Sequence, residues 1–153
     1  MGILTDDMRR MVEEQQLGFI ATVCSDGTPN LSPKGTTAIW DDEHLVFADI
    51  CSPGTIANLR QNPAIEINVV DTLSRKGYRF KGKATILQGA QLEEALTFYR
   101  RRGSNSAKQN VVLVKVERAA PLISPAYDQG QIEPQIKAHW RRYWQELWSR
   151  SSG

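Results

Sequence analysis

Apolar and polar positions change period several times along the chain, and each change marks an element. From Thr5 to Leu17 the apolar residues Met8, Met11 and Val12 recur at helical spacing behind a threonine cap and the acidic first-turn pair Asp6-Asp7. Gly18 closes that helix. FIATVCS then reads as a strand, and Asp26-Gly27 is a hairpin signal leading into a second strand from Asn30 through Ile39 and Trp40. The acidic turn Asp41-Asp42-Glu43 precedes a third strand, LVFAD. Ser52-Pro53-Gly54 reads as a loop, and Thr55 is placed to cap a short helix carrying Ile56, Ala57 and Leu59, which Asn62-Pro63 stops. AIEINVV is another strand. After the loop TLSRKG the alternation is plain, with Tyr78, Phe80, Ala84 and Ile86 on one face and Arg79, Lys81, Lys83 and Thr85 on the other. LEEALTFYRRR reads as a helix and VVLVKVE as the final strand. Beyond the proline-interrupted stretch AAPLISPAYDQGQIEP, a last helix sets Ile136, Trp140, Tyr143 and Leu147 on one stripe. Helices flanking a meander of about six strands with short turns predict a mainly β fold, a six-stranded antiparallel barrel rather than a doubly wound parallel sheet.

Composition adds bounds rather than elements. A chain of 153 residues is expected to form one domain, 1–153, with the last helix at about 134–149 as an extension. The formal net charge of +2 gives no global field toward nucleic acid or an anionic membrane, so neither is expected as a partner. Arg100-Arg101-Arg102 and Arg141-Arg142 read most simply as helix surface. The N-terminus interleaves acids and bases without an apolar leader, and no apolar run approaches the roughly 20 residues that span a bilayer, so a cytoplasmic location is expected. Cys24 and Cys51 form no short-spaced pair and lie far in sequence from His44 and His139, which predicts reduced thiols and no metal site.

The chain lacks the glycine-rich dinucleotide and nucleotide loops, the nucleophile elbow and the paired metal-ligand motifs, so no catalytic side chain is assigned. What remains is a candidate anion cradle. At Ser52-Pro53-Gly54-Thr55 a loop opens a helix, and free N–H groups, the positive end of the helix dipole and two hydroxyls converge. A plain helix cap explains the same residues without a ligand. Ser32-Pro33-Lys34-Gly35-Thr36-Thr37 interrupts a strand with a proline and a glycine around a lysine, as a bulge or a close approach to a ligand does; an edge strand guarded by an exposed lysine does so too. The cationic face of Arg79, Lys81 and Lys83 is a weaker signal still, read more simply as a solvated sheet face.

The succession IATVCSDGTPNLSPKG, LVFADICSPGTIANLRQNPAIEINVV and KGYRFKGKATIL resembles the pyridoxamine 5'-phosphate oxidase-like family of FMN-binding split barrels. The likeness runs from Leu17 to Leu87. It implies a six-stranded split barrel that forms a homodimer with FMN held between subunits. It places Ser32, Pro33, Lys34, Gly35, Thr36 and Thr37 along the flavin, with Lys34 as the basic residue facing it. Asp49 and Ile50 fall where the third strand passes the cofactor, Ser52, Gly54 and Thr55 on the phosphate loop, and Asn58 close behind. The chain departs from the pattern where the family's oxidases carry an arginine-lysine pair and this loop has Pro53 and Gly54. It departs again where Pro29 stands for a basic residue, and vitamin B6 oxidation is therefore not carried over.

What the resemblance implies is a flavin-dependent oxidoreductase moving a hydride or two electrons between the FMN ring and a small substrate or reduced nicotinamide nucleotide. The alternative is a non-catalytic FMN carrier or electron-transfer module. A deazaflavin coenzyme or haem in place of FMN is also open, haem being disfavoured by the lack of an obvious ligand other than His44 and His139.

Overall fold

The computed structural model describes residues 2–153. Helix α1 spans Asp6–Gln15; the Thr5 hydroxyl accepts a hydrogen bond from the Met8 amide, and Met11 and Val12 are buried. Strands β1 (Gly18–Val23) and β2 (Pro29–Lys34) form the expected hairpin, with Gly27 at φ 83° and the Asp26 carboxylate accepting from the Thr28 amide. Then come β3 (Ala38–Ile39), β4 (His44–Asp49), helix α2 (Pro53–Gln61), β5 (Ala64–Asp71) and β6 (Lys76–Ile86). Helix α3 (Gly89–Arg101), β7 (Asn110–Ile123) and α4 (Glu133–Ser151) complete the order.

All seven strands join one antiparallel sheet in the order β2-β1-β5-β6-β7-β4-β3. The two outermost strands are neighbours in sequence, since only Gly35–Thr37 separates β2 from β3. Four residue steps reach at most about 14 Å. The sheet must therefore curl until its edges nearly meet, yet among the described residues β2 pairs only with β1 and β3 only with β4. This is the split-barrel fold, mainly β with flanking helices, built from seven strands rather than the six expected. The difference arises at one place. The single strand expected from Asn30 to Trp40 breaks after Pro33-Lys34, because proline gives no ladder hydrogen bond, and its two halves add to opposite edges.

Two boundaries also differ from the sequence reading. The last strand was expected to stop within VVLVKVE, but β7 continues through Pro121 to Ile123. Beyond Val116 it has β6 as its only strand neighbour, since β4 pairs with Asn110–Lys115, and proline is tolerated on such an edge. A bulge at Glu117, between the pairs Lys81–Arg118 and Gly82–Val116, bends the strand there. Gly82 is required at this point: a Cβ would lie 1.8 Å from the Lys115 carbonyl oxygen. The other boundary is the start of α2. Ser52 occupies the cap position and Pro53 the first helical turn, while Thr55 lies within that turn and is buried, so Thr55 is not the cap. Proline's fixed φ suits the first helical position, which moves the cap from Thr55 to Ser52 and the helix start three residues earlier.

The barrel interior holds Ile20, Leu45, Phe47, Ile67, Val69, Phe80, Val112 and Val114, and Met11 and Val12 of α1 with Ile56 and Leu59 of α2 pack into the same cluster. A second cluster beneath α3 includes Val46, Ala95, Tyr99 and Val111. On β6 the alternation holds: Phe80 is buried, whereas Arg79 and Lys81 point outward and pair with Glu66 at 2.6 and 3.4 Å. Helix α4 is fastened by its first half to the β5–β6 turn. Lys76 contacts Glu133 at 3.1 Å and the Arg75 guanidinium lies 3.4 Å from the centre of the Trp140 ring, while ahead of the helix the Tyr127 hydroxyl donates to the Ser74 carbonyl at 2.6 Å. Hydrogen bonds from Lys137 and Lys76 hold the Glu133 carboxyl below its usual range. The second half projects outward with Tyr143, Leu147 and Trp148 exposed.

Candidate functional site

Lys34 ends the edge strand β2, and the strand's alternation turns it inward together with Ser32 and Asn30. Only 7% of Lys34 is exposed. Its ammonium donates to the Ser52 hydroxyl, and among the described residues it forms no ion pair. A buried cation held by a neutral hydroxyl is a costly arrangement unless something anionic joins it.

The surroundings favour that completion. Ser52 sits at the start of α2 without using its hydroxyl to cap the helix. Pro53 has no N–H, and the Gly54 and Thr55 amides of the first turn receive no side-chain cap; the contact with Ser52 brings Lys34 to this positive end of the helix dipole. Gly54 borders open space: a Cβ built on it would meet no atom within 4 Å. Asp49, at the end of β4, accepts the Ser52 amide at 2.6 Å through Oδ1, while its Oδ2 is buried without a partner. The Asp49 carbonyl in turn accepts from the Gln109 amide at 3.0 Å.

The loop that crosses between the sheet edges is held from both sides. The Thr36 hydroxyl donates to the Ala48 carbonyl at 2.8 Å and accepts from the Ala48 amide at 2.9 Å, so it continues the β3–β4 pairing past the start of β3. The Thr37 hydroxyl donates to the Lys34 carbonyl, and the Tyr99 hydroxyl donates to the Thr36 carbonyl, both at 2.8 Å. Burial pushes the Tyr99 phenol far above its usual range, so it stays a donor at any physiological pH. A cavity of about 340 Å³ opens beside this loop between Gly35–Thr37, Gln16, Tyr99 and Arg102.

Of the residues singled out from the sequence, Lys34, Asp49, Ser52, Gly54 and Thr55 come together at one place, with Gly35, Thr36 and Thr37 forming the adjoining wall. Ser32 shares the inward face of β2. Pro33 is exposed on the opposite face, and Ile50 is 45% exposed beside the loop. Asn58, one turn along α2, donates to Thr22 at 3.0 Å and to the Cys24 sulfur at 3.6 Å, and so ties the helix to β1. Thr22 and Tyr99 were not singled out from the sequence. A polar residue on the inward face of β1 is a signal for the first, whereas nothing local marks the second. The two histidines lie elsewhere: His44, at the far end of β4 from Asp49, contacts Asp41 at 2.8 Å, and His139 stacks edge-on against Trp140. Both cysteines are free thiols, and no cluster of metal-ligating side chains occurs among the described residues.

Tested against this geometry, a phosphate monoester fits: one buried cation, unused helix amides, a serine hydroxyl and an open approach over Gly54 are the groups it needs. Comparison with known proteins gives the family and the fold. No curated protein matches the chain. Among solved structures, HupZ of Group A Streptococcus is 33% identical with a TM-score of 0.72, spanning 80% of this chain and 96% of that one. An FMN-binding protein from Syntrophomonas wolfei shares the fold at 18% identity and a TM-score of 0.65, over 77% of this chain and 85% of its own. An F420 reductase does so at 21% identity and a TM-score of 0.60, over 76% and 98%. The sequence model of pyridoxamine 5'-phosphate oxidase matches residues 4–122, and with the split-barrel fold described above, this chain belongs to that family.

Proposed function

We propose that the chain binds FMN in the cleft between β2, β4 and α2, and that it serves as a flavin-dependent oxidoreductase for a small substrate or a reduced nicotinamide nucleotide. The observation that carries this reading is the buried Lys34 ammonium, which has no ion-pair partner and faces the start of α2. Bound FMN would supply the redox chemistry, accepting and returning a hydride or two single electrons. The protein's own residues bind and orient. Lys34, Ser52 and the first-turn amides of α2 hold the phosphate, and the clasped loop Gly35–Thr37 gives the ring and ribityl chain a rigid wall. No side chain here is assigned as an acid or base.

The site lies beside the edge strand β2 and borders open space at Gly54, whereas a cofactor site normally buries most of its ligand. We propose that a second copy of the chain closes it. The exposed Phe19 and Leu31 on the outer face of the β1–β2 hairpin support this, as does the projecting end of α4 with Tyr143, Leu147 and Trp148. Neither membrane nor nucleic acid enters the proposal; no described helix is long and apolar enough to cross a membrane.

The test combines the mass in solution with and without FMN and the steady-state oxidation of reduced nicotinamide nucleotides by the loaded protein. The expected result is a dimer that turns over. A dimer that binds FMN without turnover supports the carrier reading instead, and a monomer that binds FMN tightly removes the shared site. The F420 reductase among the structural relatives makes a deazaflavin the natural competitor, which binds here if the protein takes it up in preference to FMN.

A further inference from the structure

We infer that Asp49 is a specificity-determining residue of this cleft, a buried carboxylate that limits how strongly the cleft prefers a phosphorylated ligand over its unphosphorylated counterpart. The inference rests on the flavin reading and adds to it a residue whose charge opposes the expected ligand. Asp49 is 1% exposed, one oxygen takes the Ser52 amide and the other has no partner. Ser52 therefore links a buried cation and a buried anion: its hydroxyl takes Lys34 and its amide serves Asp49, while no ion pair joins the two directly.

A phosphate arriving over Gly54 meets both charges. The Lys34 ammonium and the α2 amides attract it, and the carboxylate bonded to the Ser52 amide repels it in surroundings that screen poorly. A neutral ligand of the same shape feels neither force to first order. The carboxylate is not needed for its hydrogen bond, since an amide oxygen accepts from the Ser52 amide equally well. Charge and hydrogen bonding at this position are thus separable by substitution.

The experiment measures dissociation constants of FMN and riboflavin for the wild-type protein and for Asp49→Asn and Asp49→Ser, with thermal unfolding as the check that each variant is folded. Both variants keep an acceptor and lose the charge. The expected result is FMN binding about tenfold tighter in both variants with riboflavin unchanged. FMN and riboflavin weakening in parallel would show that Asp49 only positions the loop, and no change for either would show that its charge plays no part; each overturns the inference. A wild-type protein that prefers FMN while the variants fail to widen the preference leaves the flavin reading standing. If the wild type binds neither flavin, both fall.

Discussion

Lys34→Ala is expected to weaken FMN binding by about 10- to 150-fold, the range set by losing a hydrogen bond to a charged partner of about 1.5–3 kcal/mol. The effect is large because Lys34 is a buried cation, already desolvated before the ligand arrives. Little of the binding energy is then used to strip water from it. Lys34→Met separates charge from packing, since it keeps an apolar stem of similar length; it should lose as much affinity as the alanine variant. Riboflavin, which has no phosphate, should bind both variants about as well as it binds the parent. Fluorescence quenching of the flavin gives all these constants. Unchanged FMN affinity in folded variants would remove Lys34 from the site.

Phe80→Ala should cost about 3–5 kcal/mol of stability, the usual range for deleting a buried phenylalanine. Phe80 is fully buried in the barrel, opposite Ile67 of β5 and Ala119 of β7, so its removal leaves a cavity lined by three neighbouring strands. Against the roughly 5–15 kcal/mol that holds a typical domain together, this is about a fifth of the total at the least. Denaturant unfolding should show a lower midpoint at an unchanged slope. Saturating FMN should recover part of the loss by mass action, because only the folded state has the cleft. A loss below about 1 kcal/mol would mean that the interior is less tightly packed than described.

Much of the barrel was legible from local pattern. The β6 alternation put Phe80 inside and Arg79, Lys81 and Lys83 outside, and the bland reading of that cationic face as solvated surface agrees with its ion pairs to Glu66. Asp26-Gly27 located the first hairpin. The break at Pro33 to Thr37 was visible as well, but its meaning was not. That the halves of one expected strand join opposite edges depends on the order of seven strands, which no window of sequence contains. The start of α2 was misjudged by giving Thr55 the cap when Pro53 already fixed the first helical position.

The candidate site was legible mostly through resemblance. Lys34 and Ser52 stand 18 residues apart and meet only because the sheet curls. The Tyr99 hydroxyl reaches the Thr36 carbonyl across 63 residues, from a helix whose pattern announced only its buried face. Asp49 was placed near the cofactor, but its buried, unpartnered oxygen is a property of packing alone.

The central claim is that this cleft holds a flavin by its phosphate, and a single titration tests it most directly: the affinity of the purified protein for FMN against that for riboflavin. The account predicts tight binding of FMN and weaker binding of riboflavin, since only FMN engages Lys34, Ser52 and the α2 amides through a phosphate. Equal affinity for the two, or binding of neither, would contradict it.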